Sequence, residues 1–293
     1  TVSSASQRSS NIFSFMFSDH QSQFKNTDSQ EYMLNYRNFA KITKWMDFSL
    51  SGMLHYSKDN NNGCSLATIQ ALSPYDMLID ENGDYLNVIN DYYQPIIENQ
   101  VPVEKFPYSD WSYNPLSEMD NRDLTTQKLN IRLQAGITLQ LLKGLSYDAK
   151  VQYEILQDES RNLYKEGSYY VRNLVNTSST WNKTDGTVTP NLMKGDILEE
   201  RQVRTTGYNF RNQLNFSRRF DKHEIDAIAG TEISNTIIKG TASPTVYGYN
   251  DDRLTVGTFP NGTTVKDWMG YNKTFYYTPS YSYLTSRYFS LYG

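Results

Sequence analysis

The sequence predicts an all-β chain, part of a large antiparallel transmembrane β-barrel. Three observations carry that reading. Apolar and polar residues alternate at period two through several long segments. Tight turns and very long connections succeed one another. The alternating segments also outrun the roughly 5 to 6 residues of an ordinary soluble strand.

Taken in chain order, "NIFSFMFSD" (residues 11–19) reads as a first strand. "NYRNFAKITKWMDFSLSGMLHYS" reads as a pair turning near Thr43-Lys44. In its second arm Phe48, Leu50, Leu54 and Tyr56 alternate with Ser49, Ser51, His55 and Ser57. Residues 127–155 are the most regular. Leu129, Ile131, Leu133, Ala135, Ile137, Leu139 and Leu141 share one face; Lys128, Asn130, Arg132, Gln134, Thr138 and Gln140 share the other. Past Lys143-Gly144 the pattern resumes, with Leu145, Tyr147, Ala149, Val151, Tyr153 and Ile155 against Ser146, Asp148, Lys150, Gln152 and Glu154. A further hairpin sets Tyr208, Phe210, Leu214 and Phe216 against Asn209, Arg211, Gln213 and Asn215. It turns at Asp221-Lys222, and Ile225, Ala227, Ala229, Ile233 and Ile237 then oppose Glu224, Asp226, Glu232 and Ser234. "RYFSLYG" begins a last strand. The count is about eight strands.

The turns near Lys44, Lys143 and Asp221 are tight, whereas the connections 58–126, 159–204 and 239–286 are very long. Soluble domains seldom carry structureless loops beyond about 12 to 15 residues. Outer-membrane barrels do alternate in this way, with short periplasmic turns and long extracellular loops. Residues 128–141 reach roughly 46 Å at about 3.3 Å per residue. Tilted near 40°, they still rise about 35 Å, enough to cross an apolar band of about 25 Å. A soluble β-sandwich or lipocalin-like barrel also alternates, and the pattern alone does not say which face is inside. Trp45, Phe48, Tyr147 and Tyr153 are candidates for interfacial aromatic girdles.

Composition agrees. Mean hydropathy is −0.65 and no stretch suits a membrane helix. There are 24 Tyr and 13 Phe but a single cysteine, Cys64, so no internal disulfide framework exists. A net charge of −4 without a basic stripe argues against nucleic acid. The chain opens without Met or a signal peptide and closes on what reads as a cut strand, so the expectation is an internal segment of a longer polypeptide.

"LSPYDMLIDENGDYLNV", "FPYSDWSYNPLSEMDNRD", "LLKGLSYDAKVQYE", "YYVRNLVN", "GYNFRNQLNFSRRFDKHEIDAIAGTEIS" and "YLTSRYFSLYG", in that order, resemble the barrel of SusC/RagA-type TonB-dependent transporters. The resemblance runs from about residue 10 to 293. It implies a 22-stranded barrel around an N-terminal plug, a bacterial outer-membrane location and a SusD-like surface lipoprotein as lid. It also implies import of glycan fragments or peptides, driven through the TonB–ExbB–ExbD complex. Residues 1–293 would then be part of the barrel domain, with plug, TonB box and remaining strands absent. Eight strands cannot close such a barrel, because strand number, tilt and diameter are linked. The other readings are a small outer-membrane adhesin or pore, or a soluble carbohydrate-binding module.

No enzyme is expected, since no nucleophile, metal or phosphate-loop constellation is present. No cofactor or metal is expected either. His20, His55 and His223 share no ligand spacing. "DENGD" lacks the calcium-loop Gly and Glu, and Asn82-Gly83 reads better as a tight turn. Arg132, Asp148, Lys150, Glu154, Arg211 and Glu224 are expected to face a hydrated lumen, with the odd positions of residues 129–155 facing lipid. Tyr75, Tyr108, Trp111 and Tyr113, beside Asp and Asn, are candidates for contact with a sugar, peptide or protein partner. The simpler reading is a loop folding on itself around Trp111 and Pro115.

Overall fold

Period-two patterning becomes one ten-stranded antiparallel sheet in the computed structural model, which describes residues 1–88, 91–257, 262–275 and 279–293. Its strands are β1 (Val2–Ala5), β2 (Ser9–Gln21), β3 (Asp28–Lys41), β4 (Met46–Asn61), β5 (Arg122–Leu142) and β6 (Leu145–Tyr164), then β9 (Asp196–Phe220), β10 (His223–Ala242), β11 (Val246–Tyr249) and β14 (Ser280–Tyr292). Neighbours in sequence are neighbours in space along β1-β2-β3-β4-β5-β6-β9-β10-β14. The connections hold α1 (Leu66–Gln70), α2 (Gln94–Gln100), α3 (Pro115–Asp120), α4 (Tyr169–Ser178) and two small hairpins, β7 (Thr180–Asn182) with β8 (Thr187–Thr189) and β12 (Thr264–Lys266) with β13 (Asn272–Thr274).

The long strands and tight turns fall where alternation placed them. At Lys143-Gly144 the chain reverses with Gly144 at φ 86°, and a Cβ there would lie 2.5 Å from the Ser217 carbonyl oxygen. Only glycine meets both demands. Asp221 holds φ 51° in the next tight turn, a conformation that a short polar side chain tolerates.

Three expectations need correction. The strands run well past the alternating segments, since β5, β6, β9 and β10 have 21, 20, 25 and 20 residues. Just beyond the band, stretches such as residues 157–162 and 199–202 are polar on both faces, so hydropathy carries no period there while the backbone ladder continues. β11 prolongs β10 in the same direction along β9: Ala242 pairs with Arg201 and Val246 with Leu198, a shift of one residue absorbed between them. The alternation of tight and long connections also fails once, because residues 22–27 join β2 to β3 by a short link at the long-loop rim. Finally, the long connections are not structureless but fold into a cap with its own core.

Register sorts the side chains into two faces. Leu54, Ile131 and Ile155 lie side by side, as do Gly52, Leu133 and Tyr153, then Phe48, Ile137 and Ala149. Opposite them stand Ser51, Gln134 and Gln152, and Met53, Arg132 and Glu154. On β5 the apolar run spans Leu129 to Leu139, about 33 Å along the strand and about 25 Å high at a 40° tilt. Tyr147 pairs with Leu139 at the edge of this band. Tyr153 sits beside Leu133 and Tyr208 in its middle, which corrects its assignment to a girdle. An unpredicted girdle lies at the other edge, where Phe17, Tyr32 and Tyr56 occupy adjacent strands with ring centroids 4.9 and 6.2 Å apart.

The apolar face of this sheet is not buried: Phe15, Leu133, Ile233 and Phe289 are all exposed. An apolar surface of this extent marks contact with lipid or with another protein. Among the described residues, the buried clusters lie in the cap and where it meets the strand ends.

Candidate functional site: the polar wall and its cap

The polar face is a hydrogen-bonded wall. Arg132 reaches Glu154 across the β5–β6 pair at 2.8 Å. Asp148 accepts from Thr138 Oγ1 and from Asn215 Nδ2, each at 2.5 Å. Asn209 donates to Glu232 at 2.6 Å, and His55 meets Glu31 at 2.7 Å. Lys150 pairs in register with Arg211, whose Nε donates to the Tyr292 hydroxyl at 2.7 Å. Glu224 stands opposite Arg219. Arg132, Asp148, Lys150, Glu154, Arg211 and Glu224 therefore share one face, spread across four strands rather than gathered into one pocket.

The cap sits above this wall and is organised by α4. Ser168 caps its start by accepting from the Val171 N–H at 3.2 Å. Val171 and Val175, one turn apart, are fully buried with Ile197 and Leu192. Ile197 pairs in register with Tyr164, and both belong to the polar face, so α4 leans over that side of the sheet. Another flank of α4, largely buried itself, clips a loop segment in place. Asn176 accepts from the Tyr108 N–H at 3.0 Å and donates to the Tyr108 carbonyl at 2.8 Å. Arg172 donates to the Asp110 and Ser112 carbonyls at 3.0 and 2.9 Å, and the Trp111 indole N–H reaches Asn173 Oδ1 at 3.0 Å. Glu118 of α3, almost completely buried, pairs with Arg122 at 2.7 Å and accepts from the Tyr169 N–H.

Tyr108 and Trp111 are 8 % and 4 % exposed, so they face inward rather than outward as exposed contact residues would. Trp111 lies 5.1 Å from Trp268, 5.6 Å from Phe106 and 5.9 Å from Tyr92, ring centroid to centroid. Tyr113 is half-buried edge-on against Tyr169 at 5.3 Å. Tyr75 stands apart, 92 % exposed. In "DENGD" the Asp80 side chain accepts from the Asn82 and Asp84 N–H groups, both at 2.8 Å, around Gly83 at φ 91°, a tight reversal. The sequence reading does not single out Arg172, Asn173 and Asn176 within "YYVRNLVN". Its signal is Ser168 followed by valines four apart.

Burial pushes the Tyr108 phenol up to about 12, and does the same for Tyr170. An unfolded tyrosine ionises near 10. Between pH 10 and 12 the unfolded segment has lost a proton that the packed one keeps, so cap stability falls as pH rises through that window and is untouched below it. Near-ultraviolet circular dichroism of the tryptophan cluster should hold to pH 10 and decay between 10 and 12. Decay beginning below pH 9 would contradict the burial of these phenols.

No protein-family model matches the chain, and no curated protein matches it. Solved structures do. A chain in the structure of the RagAB peptide transporter covers 99 % of this chain at TM-score 0.66 and 14 % identity. Chains of the RagAB peptide importer in its closed-closed and open-open states each cover 99 % at TM-score 0.67 and 15 % identity. The likeness is one of fold. This chain spans 28 % of the length of each of those chains.

Proposed function

We propose that residues 1–293 are a segment of the barrel domain of an outer-membrane, TonB-dependent importer of the SusC/RagA type. It takes up peptides or glycan fragments under a SusD-like surface lipoprotein, and its energy comes from TonB–ExbB–ExbD acting through a plug region. The observation that carries the reading is the two-faced sheet: an apolar band of about 25 Å on one side and a charged, hydrogen-bonded wall on the other. The fold likeness to chains of the RagAB peptide transporter, over 99 % of this chain, supports it. Arg132, Asp148, Lys150, Glu154, Arg211 and Glu224 then line a watery lumen, and the apolar positions meet lipid. Tyr108 and Trp111 act from inside, setting the shape of the cap. Tyr75, with exposed Met77 nearby in sequence, offers the lipoprotein a contact, whereas Tyr113 packs inside against Tyr169. No chemical step is assigned to the chain.

Disruption of the gene is expected to abolish growth on a peptide mixture as sole nitrogen source while leaving growth on free amino acids intact. Loss on an oligosaccharide instead would move the substrate to glycans. Unchanged growth on both would sink the importer reading.

A further inference from the structure

The outer rim of the apolar face holds an arrangement that the lumen, the cap and the lipoprotein do not explain. Arg204 of β9 and Lys239 of β10 are directly opposite each other in register, on the same face, and both are exposed. Like charges in that position repel. Among the described residues neither forms an ion pair or a hydrogen bond. The nearby carboxylate, Glu159, is already held by the Gln157 and Gln202 amides at 2.6 and 2.5 Å.

Their height on the sheet gives the pair a meaning. The next row toward the tight turns is Ile155, Thr206 and Ile237, the start of the apolar band. Tyr283 pairs with Lys239 on the far side and is 54 % exposed. Two cations at the junction of an apolar band and a polar collar, with an aromatic beside them, meet the headgroup level of a bilayer.

We propose that Arg204 and Lys239 bind the phosphate of a membrane lipid, whose acyl chains run down the band past Ile237 and Ile233. The proposal rests on the reading of this sheet as a membrane wall. A lipid phosphate rather than a free one is the occupant because the band below gives its chains a surface to lie on, while a free anion would gain from the charges alone.

The full-length protein carrying residues 1–293 is reconstituted in phosphatidylcholine nanodiscs doped with phosphatidic acid, and co-isolated lipid is quantified by mass spectrometry. Phosphatidate should be enriched around the native protein. Arg204→Gln and Lys239→Gln should each lower the enrichment about fivefold, and the double variant about thirtyfold. Lys128→Gln, at similar height on the opposite face, should leave it unchanged, and millimolar inorganic phosphate should not displace the lipid. Undiminished enrichment in the double variant overturns the proposal, as does equal loss in Lys128→Gln. Displacement by inorganic phosphate would make it a free-anion site and overturn the lipid assignment. A protein that inserts without preferring phosphatidate sinks this inference alone; one that fails to insert removes the membrane reading and this inference with it.

Discussion

Leu133→Arg is expected to lower barrel stability by about 2–4 kcal/mol, the penalty for an arginine at the bilayer midplane on a lipid-facing strand position. Leu133 is the position of choice because it lies in the middle of the band, between Gly52 and Tyr153, and is 53 % exposed on the apolar face. Ile137, two rows nearer the tight turns, should give a smaller penalty, since the cost falls toward the interfaces. Gln134→Arg moves the same charge one residue along and onto the opposite face. There it meets water and the neighbouring serine and glutamine side chains, so a change within about 1 kcal/mol is expected. Urea unfolding of the full-length protein in lipid vesicles measures both. Equal penalties at 133 and 134 would mean that the two faces share one solvent.

Trp111→Ala should be as damaging, but locally. Truncating a buried tryptophan costs about 3–5 kcal/mol through lost transfer energy and the cavity left behind. Here the cavity would open among Tyr92, Phe106 and Trp268, and Asn173 would lose its indole donor. Because α4 holds the loop segment 108–112 through Asn176, Arg172 and Asn173, exchange protection should fall together in residues 103–113 and 169–178. The strands below make their own ladder and should keep theirs. Protection lost equally in β5 and β6 would mean that cap and wall fold as one unit.

Much of this was written in the local pattern. Leu129 to Ile155 declare their strands because a half-buried strand must alternate, and Lys143-Gly144 declares its turn because only glycine fits it. The stretches around Glu159 and Glu200 were silent, since side chains on both faces are polar there and no contrast in hydropathy remains. The cap was silent for a different reason. Trp111 and Trp268 meet across more than 150 residues of chain, and no local period records a contact of that span. Their polar neighbours in sequence made Tyr108 and Trp111 look exposed. What hides them is a helix supplied from another connection. The Arg204–Lys239 pair was also out of reach, because it exists only once the register between β9 and β10 is known.

The rim is uneven. β2 has 13 residues and ends in a short link, while β9 has 25 and carries the cap beside it. Register carries Gln21 at the end of β2 across the sheet to Glu200, so β9, which starts at Asp196, runs four residues further at this rim, roughly 13 Å along the strand. In the proposed barrel, a mouth cut at such a slope would not be isotropic to diffusion. Solutes arriving over β2 and β3 would meet the wall first, whereas those arriving over β9 would meet the cap. In the proposed barrel, the low edge at β2 and the cap beside β9 would together bias the direction of approach.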